Sequence, residues 1–309
     1  MTPSIAIIIP CYNSAPYIAE TIASVLAQSS PADEVLVIDD GSTDDSAAII
    51  GQYAGSITLL SQSNAGVSAA RNHGLRHATS EHVLFLDADD TLAPDALERL
   101  RAAVCHSPQS VMLMGWYEFG DHVKGRTGPH VYRINNFFPE IIKANFGPNH
   151  TRLVPRQAAL LAGGFPEGMR IYEDWHFWTR VALLGTPLVA LDYVGANYRR
   201  HDSSCLADPR ERDVAAGYLA VATLQCERIA HERPDLLTAH GEMLFWSGWT
   251  AFERARKARI PVAEMTPLAA ALERMIASGP RTLNRSVFAK AVRLLGFPKA
   301  NRLRAILGS

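Results

Sequence analysis

The sequence lacks the cysteine pattern of a zinc site or a disulfide framework. Its four cysteines are scattered over 309 residues and none belongs to a CxxC pair; they are Cys11, Cys105, Cys205 and Cys226. Structural zinc sites and disulfide-rich domains usually show closely spaced cysteines, and free cysteines are typical of reducing compartments. We therefore expect neither structural zinc nor disulfides.

The sequence also shows no pattern of a signal peptide or of a membrane-spanning segment. The first residues, MTPSIAIIIPCYN, have no basic flank before their short apolar run and no small-residue cleavage site, which argues against a signal peptide. No apolar stretch approaches the roughly 20 residues that span a bilayer. Hydrophobic residues make up 48% and charged residues 20% of the chain, as in ordinary globular domains. These features predict a globular, cytoplasmic protein.

Cations are scarce in the first third of the chain. Residues 1–100 hold 3 Lys and Arg against 13 Asp and Glu, whereas residues 101–309 hold 27 against 18. A phosphate site in the first third would therefore be short of direct cationic contacts and would suit a divalent metal held by the acidic residues. The alternative is a solvated acidic face.

Short apolar runs alternate with helical patterns in the first hundred residues. The runs at 5–9, 35–38, 57–60 and 83–86 suit strands buried on both faces, and helical patterns separate them at 14–26, 44–53 and 67–77. This alternation predicts an α/β fold with a Rossmann-like, mostly parallel central sheet flanked by helices.

The rest of the chain is less regular. Residues 110–119 and 187–193 have strand patterns, residues 173–184 are helical, and residues 209–309 predict a helical carboxyl-terminal extension. Within it, residues 281–309 carry seven basic residues and no acidic one, with an apolar stripe between them. A basic amphipathic helix favours peripheral membrane contact at the inner face of the cytoplasmic membrane. The alternative is a helix packed on the domain with a solvated basic face.

Polar clusters follow three of the predicted strands. PCYN (10–13) follows the first, DDGSTDD (39–45) the second and DADD (87–90) the fourth. Ligands of parallel sheets bind beyond the carboxyl ends of the strands. The three clusters therefore predict a binding site at one sheet edge.

DADD is the most informative of these clusters. Asp87 and Asp89 are two residues apart, so on an extended strand end they point the same way. Two converging carboxylates favour a hard cation between them, Mg²⁺ or Mn²⁺. The alternative is an acidic turn in which Asp90 or Thr91 caps the next helix.

A phosphohydrolase is a second interpretation of the same residues. VLFLDADDTL (83–92) fits the first motif of haloacid-dehalogenase-like phosphohydrolases, in which Asp87 would be a covalent nucleophile and Asp89 a general acid. Those enzymes usually carry the motif on their first strand, whereas an entire βαβα unit precedes it here. A sugar-nucleotide-binding protein without catalytic activity is a third interpretation.

Residues 5–204 resemble family 2 of the inverting glycosyltransferases. The motifs that carry the resemblance are IIIPCYN (7–13), VLVIDDGSTDDS (35–46), NAGVSAARNHG (64–74), FLDADD (85–90), GGFPEG (163–168), YEDWHFW (172–178) and, more weakly, YRRHDSS (198–204). The resemblance implies the GT-A fold, a nucleotide-diphospho-sugar donor, most often a UDP-sugar, and a saccharide or lipid-linked acceptor in cell-surface polysaccharide synthesis. It implies no nucleic-acid partner.

The resemblance also implies roles for individual residues on the donor side. Asp39 and Asp40 would contact the base and ribose, and Tyr12 would offer its ring to the base. The full donor set is Pro10, Tyr12, Asn13, Asp39, Asp40, Asn64, Arg71, Asp87 and Ala88. For Arg71 the alternative is an ion pair with a nearby acid.

The implied metal and diphosphate ligands lie in two motifs. Asp87 and Asp89 would hold Mn²⁺ or Mg²⁺, and His201 would complete the ligand set; for His201 the alternative is a surface histidine. Arg199, Arg200 and Ser203 would hold the diphosphate.

On the acceptor side the resemblance points to the acidic pair at 173–174. Asp174, beside Glu173, would be the catalytic base that accepts the acceptor's hydroxyl proton. The alternative is that both acids merely favour a helix amino terminus. Trp175 and Trp178 would line the acceptor sugar site, or else belong to the core.

The predicted organisation has two regions. Residues 1–208 form the catalytic domain, with a nucleotide-sugar-binding half at 1–106 and an acceptor-side half at 107–208. Residues 209–309 form the helical region.

Overall fold

The computed structural model describes residues 2–202, except 122, 124 and 135, and residues 210–278. Ser203 and the basic segment 281–309 lie outside the described residues. The strands are β1 (Ile5–Cys11), β2 (Glu34–Asp39), β3 (Thr58–Ser61), β4 (His82–Phe85), β5 (Thr91–Leu92), β6 (Val111–Gly120), β7 (Thr127–His130), β8 (Arg152–Pro155) and β9 (Leu188–Arg200). The helices are α1 (Ile18–Leu26), α2 (Ser46–Gly51), α3 (Val67–His77), α4 (Ala96–His106), α5 (Phe137–Lys143), α6 (Arg156–Leu161), α7 (Glu173–Leu183), α8 (Glu211–Glu232), α9 (Pro234–Lys257) and α10 (Val262–Ser278).

The apolar run of β1 has a direct structural reason, because helices cover both faces of the sheet. Its odd-numbered residues belong to a core shared with α1, α2 and α4. On the opposite face α3 approaches so closely that a Cβ on Gly74 would lie 2.5 Å from the Ile8 side chain and 2.8 Å from that of Ile38. A strand covered on both faces is apolar at every position.

The strands form one sheet of mixed direction. Its order is β3-β2-β1-β4-β8-β6-β9-β5, with β7 paired to β6. The predicted parallel arrangement is confirmed for β1 to β4. Beyond β4 the sheet becomes mixed, because β8 runs antiparallel to both β4 and β6.

The sequence patterns missed the short elements in the middle of the chain. β5, β7, β8, α5 and α6 have between two and seven residues each, too few for a periodic pattern to develop. One of them, β5, excludes the alternative in which Asp90 or Thr91 caps the next helix, since Thr91 begins β5 and α4 does not start until Ala96. Asp90 and Thr91 therefore do not cap that helix.

The chain divides into two compact units. The first, which contains the sheet, comprises Met1–Ile141, Asn145–Met169 and Arg180–Asp208. The second comprises Ile142–Ala144, Arg170–Thr179 and Pro209–Ser309. The second unit thus includes the acidic pair at 173–174, which the sequence had assigned to the first region.

The second unit is built on the packed helices α8, α9 and α10. α8 and α9 approach closely at Gly248, where a Cβ would lie 3.0 Å from Cys226 Sγ and 2.9 Å from Leu272 Cδ2 of α10. The predicted helical region is confirmed over 211–278, apart from the short connections between the helices. Among the described helices, none is both long enough and apolar enough to cross a membrane.

The GGFPEG segment of the first unit is held in place by α3. Asn72 accepts a hydrogen bond from the Phe165 amide (2.7 Å) and donates to the Phe165 carbonyl (2.9 Å). Gly164 has φ +65°, and a Cβ there would lie 2.3 Å from Asn72 Oδ1. The close approach and the left-handed backbone both require glycine at 164.

We predict that Gly164→Ala destabilises the first unit more than Gly168→Ala. Gly168 has a similar φ of +78°, but no atom lies within 4 Å of the position that a Cβ would take there. Alanine at 168 therefore adds only the left-handed strain of about 1–2 kcal/mol. Alanine at 164 adds overpacking against Asn72, typically about 1–3 kcal/mol more. Urea unfolding of both variants measures the difference. Equal losses would show that Asn72 moves aside at no cost.

Candidate functional site

The predicted convergence of the polar clusters is present in the sheet. β1 lies between β2 and β4, and Cys11 pairs with Asp39 at the carboxyl ends of β1 and β2. The amide of Leu86 continues the β4 side by donating to the Ile8 carbonyl (2.9 Å). The residues that follow β1, β2 and β4 therefore meet at one edge of the sheet.

The loops that follow β1 and β2 are bound to each other. Asn13, in the left-handed region at φ 49°, accepts a hydrogen bond from the Thr43 amide (2.8 Å). Its own amide donates to Ser42 Oγ (3.1 Å). Asn13 thus joins the two loops. The neighbouring Tyr12 is 48% exposed and presents its ring to solvent. Pro10 lies buried within β1.

Asp40 is committed to the loop at 62–66. Its Oδ1 accepts from Gln62 Nε2 (2.7 Å) and the Ala65 amide (2.9 Å), and its Oδ2 accepts from the Gly66 amide (2.8 Å). This carboxylate is 2% exposed. Asp40 therefore shapes the loop that carries the exposed Asn64. Asp39 is 7% exposed and its Oδ1 accepts a hydrogen bond from the Ser42 amide (3.1 Å), so its Oδ2 is the candidate for contact with a base or ribose.

Each aspartate of DADD has a different basic partner. Asp87 Oδ1 lies 2.6 Å from an Arg71 guanidinium nitrogen. Asp89 Oδ2 lies 2.9 Å from His201 Nε2, and Asp90 Oδ2 lies 2.9 Å from His150 Nδ1.

These pairs bear on two predictions for the site. Arg71 forms the ion pair that was its alternative interpretation. His201, 6% exposed and in ring contact with Tyr17 at 4.5 Å, is not a surface histidine. It lies at the DADD carboxylates, as the metal prediction requires.

Exposure separates the three carboxylates. The side chains of Asp87 and Asp89 are each 29% exposed, whereas that of Asp90 is 1% exposed. Asp87 and Asp89 can therefore receive a ligand from solvent, and Asp90 is enclosed. Ala88 lies between Asp87 and Asp89 in the sequence, and its carbonyl accepts a hydrogen bond from Thr21 Oγ1 of α1 (2.8 Å).

The residues at this edge fit a hard divalent cation. Carboxylate oxygens are the ligands that Mg²⁺ and Mn²⁺ prefer, and the Asp89 carboxylate lies beside the His201 imidazole, with Oδ2 and Nε2 at a hydrogen-bond distance of 2.9 Å. A possible ligand atom from each of Asp87, Asp90 and His150 also lies within 4.8 Å of the other two. Asp87 and Asp89, each 29% exposed, are the carboxylates that a cation from solvent can reach.

Burial and neighbouring charges shift the pKa values of the buried pair, Asp90 and His150. Burial raises the pKa of Asp90 to about 6, against the opposing effect of His150. Burial lowers the pKa of His150, but the carboxylates of Asp90, Asp87 and Asp89 outweigh it, so the His150 pKa lies above its usual value. Neighbouring negative charge at this edge therefore favours a cation.

Arg199 requires a correction, because its guanidinium is already occupied. Its Nε donates to the Asp89 carbonyl (2.8 Å), and an amino nitrogen pairs with Glu20 (2.5 Å). It also lies against the rings of Tyr17 and Phe119. Arg199 thus holds the end of β9 against the DADD turn, and the predicted diphosphate contact does not fit these interactions.

Arg200 differs from its neighbour. It is half-buried and contacts the Tyr198 ring at 5.7 Å. Burial raises the pKa of Tyr198 to about 12, with further contributions from Asp90, Asp87 and Asp89 and an opposing one from Arg200. Arg200 therefore lies in the electrostatic neighbourhood of the DADD carboxylates.

In the second unit, Glu173 and Asp174 occupy the first turn of α7. Asp174 Oδ1 accepts a hydrogen bond from the Trp175 amide (2.7 Å). Tyr172 immediately before them has φ 68°, a strained conformation for an aromatic residue that is often found at functional sites.

The predicted acceptor-side role of the two tryptophans is wrong. Trp178 is 0% and Trp175 5% exposed. Trp175 stacks on Tyr218 of α8 with centroids 5.5 Å apart, and Trp178 packs edge-on against Phe177. Both tryptophans are core residues, the alternative that the sequence had left open.

Several residues of this neighbourhood escaped the sequence analysis. His150 belongs to a tract without a recognisable motif, and no local pattern distinguishes a buried histidine from an exposed one. Gln62, Asn72 and Tyr172 lie inside or beside motifs, but their roles depend on partners 22 to 93 residues away or on a backbone angle.

Comparison with known proteins agrees with this geometry. The family model "Glycosyl transferase family 2" matches residues 6–165. An uncharacterized glycosyltransferase of Escherichia coli, YibD, is 41% identical over 102 residues, which are 32% of this chain and 30% of YibD. Glycosyltransferase GlyA of Streptococcus pneumoniae is 32% identical over 120 residues, 38% of this chain and 17% of GlyA. The chain thus matches under a third of the length of each.

A solved structure covers far more of the chain. S. aureus TarS, residues 1–349 in complex with UDP-GlcNAc, is similar over 98% of this chain and 90% of that 1–349 chain, with a TM-score of 0.68 and 22% sequence identity. This likeness shows the GT-A fold. The match to the family model includes DADD, whereas nothing supports the phosphohydrolase interpretation. The chain belongs to glycosyl transferase family 2.

Proposed function

We propose that this protein is a metal-dependent, inverting glycosyltransferase that moves a hexose from a UDP-sugar to a hydroxyl of a saccharide or lipid-linked acceptor. The observation that carries the proposal is the Asp89–His201 pair, 2.9 Å apart beside the accessible Asp87, at the sheet edge where ligands of such folds bind. The complex of TarS with UDP-GlcNAc supports a UDP-sugar donor.

The donor site uses side chains at the sheet edge where β1, β2 and β4 end. Tyr12 stacks on the base, and Asp39 accepts hydrogen bonds from the base or ribose. Asn64 contacts the nucleoside from the loop that Asp40 holds. Asp87, Asp89 and His201 hold Mn²⁺ or Mg²⁺, which when bound neutralises charge on the departing diphosphate.

The acceptor reacts by general base catalysis. Asp174 accepts the proton of the acceptor hydroxyl while its oxygen attacks the anomeric carbon from the face opposite the nucleotide. The bond from that carbon to the diphosphate oxygen breaks through an oxocarbenium-like transition state, and the nucleoside diphosphate leaves. The neighbouring Glu173 supports Asp174 as base.

The cellular role we propose is synthesis of a cell-surface polysaccharide from the cytoplasmic side. The family's acceptors and the basic segment at 281–309 support this. A protein that does not co-sediment with vesicles of anionic lipid would argue against the peripheral contact.

We predict that Asp89→Asn loses metal-dependent nucleotide binding. Removing a metal ligand should weaken UDP binding in Mn²⁺ by at least the roughly 10- to 100-fold that loss of an outer-shell partner costs, and leave the weak binding in EDTA unchanged. Calorimetric titration with UDP, GDP and dTDP measures this and also identifies the nucleotide.

Asp192→Asn is the matched control, since Asp192 is an exposed carboxylate on the strand that leads to His201. A folded wild-type protein that binds none of the three nucleotides in Mn²⁺ would contradict the proposed donor site.

We predict that Arg199→Gln and Arg200→Gln fail in different ways. Arg199→Gln breaks the contacts with Glu20 and the Asp89 carbonyl, so it should lower the thermal unfolding midpoint by several degrees, about 1–2 kcal/mol. Arg200→Gln should keep the midpoint and lose about tenfold in UDP affinity, with UMP affinity less affected. Thermal unfolding and calorimetry separate the two. A loss of UDP affinity only in Arg199→Gln would instead support Arg199 as a diphosphate ligand, the role that the sequence predicted for it.

We predict that Asp174→Asn lowers turnover by about 10²- to 10⁴-fold, the usual contribution of a general base, with UDP affinity within about twofold of wild type. UDP release from the UDP-sugar that the wild type uses measures turnover. Asp235→Asn is the control, because Asp235 also lies in the first turn of a helix and shares any helix-terminus effect. Similar turnover in both variants would mean that Asp174 only stabilises its helix.

A further inference from the structure

A fully buried pair lies directly behind the proposed metal ligands. Asp90 and His150 are each 0% exposed, with Asp90 Oδ2 and His150 Nδ1 2.9 Å apart, an ion-pair distance without the alignment of a hydrogen bond. Two apolar side chains of similar volume would fill this space without the cost of removing polar groups from water, so a buried pair of this kind is poor evidence for stability. Its position is the more informative property.

Asp90 connects the two segments that carry Asp89 and His201. Its Oδ1 accepts a hydrogen bond from the Arg199 amide (2.7 Å). Arg199 lies two residues before His201, and Asp90 directly follows Asp89. The separation of the Asp89 carboxylate and the His201 imidazole therefore depends on where Asp90 holds the end of β9.

His150 connects Asp90 to the sheet. It lies in the 3-10 turn Asn149–Thr151, which leads directly into β8. β8 pairs with β4 on one side and β6 on the other. The imidazole thus projects from the turn that enters a strand paired on both sides.

We propose that His150 is a positioning residue for the metal site: through Asp90, it keeps the Asp89 carboxylate and the His201 imidazole side by side, where both can reach one divalent cation. His150 itself contacts neither the cation nor the sugar nucleotide. The inference rests on the proposed metal-dependent function and extends the site to a residue outside every motif of the sequence.

Three substitutions separate positioning from volume. His150→Asn places its amide NH₂ near the position of Nδ1 and keeps a polar contact with Asp90. His150→Leu has similar volume and no polar group. His150→Gln places its amide nearer to Nε2, so it removes the polar contact with Asp90 while staying polar, and it replaces the leucine variant if that protein does not fold.

Thr151→Val is the matched control. Thr151 is fully buried in the same turn, and its hydroxyl donates to the Pro148 carbonyl (2.7 Å). The variant removes one buried hydrogen bond from the turn without touching Asp90. Any effect of destabilising the turn as such should appear in it.

The measurement is Mn²⁺ affinity at saturating UDP, from the electron paramagnetic resonance signal of free Mn²⁺, with thermal unfolding of each variant alongside. We expect His150→Leu, or His150→Gln, to raise the Mn²⁺ dissociation constant by at least about tenfold. His150→Asn should stay within about threefold and Thr151→Val within about twofold of wild type, in line with the polar contact to Asp90 as the cause.

Different outcomes contradict different statements. Wild-type Mn²⁺ affinity in the leucine and glutamine variants would overturn the positioning role alone. Equal weakening in His150→Asn and Thr151→Val would also overturn it, since the turn's stability would then be the cause. A wild-type protein that binds no Mn²⁺ with UDP would instead refute the metal-dependent function.

Discussion

Negative charge crowded at the end of β4 is the constraint around which this site is organised. Three carboxylates lie within four residues, and the first hundred residues supply only three cationic side chains. Arg71 comes from α3, whereas His150 and His201 come from later parts of the chain. The sheet must therefore bring distant segments to this edge before the DADD turn can be stable, and a bound cation would complete the same compensation.

The loops on the nucleotide side are shaped by hydrogen bonds that fall on residues often expected to bind ligand. Asn13 accepts a hydrogen bond that joins the loop after β1 to the loop after β2. Asp40 accepts hydrogen bonds from two backbone amides and from Gln62 in the loop at 62–66. Both side chains thereby fix the backbone of the segments that carry the exposed Tyr12 and Asn64 and the buried Asp39. The polar motif residues at such an edge divide into those that hold loops and those that remain open to ligand.

Much of the first unit could be predicted from local pattern. The apolar runs of β1, β2 and β4 indicated strands covered on both faces, and the polar clusters after them marked the edge where they meet. His201 was found through its motif. The pattern could not decide between the two interpretations of Trp175 and Trp178, because an aromatic residue on a helix has the same spacing whether it faces core or ligand. Nor could it show that Glu20, 179 positions away, occupies Arg199.

The sequence by itself determined the family, through the motifs that carry the resemblance. It also determined the order of strands and helices around DADD and the chemistry of its carboxylates, because these depend on local composition and periodicity. Only the tertiary structure decided which carboxylate is enclosed, which basic side chain lies beside each and that Arg199 is bound to Glu20. Those properties depend on burial and on contacts between residues up to 179 positions apart. Such contacts are made by the sheet, and no short segment contains both partners.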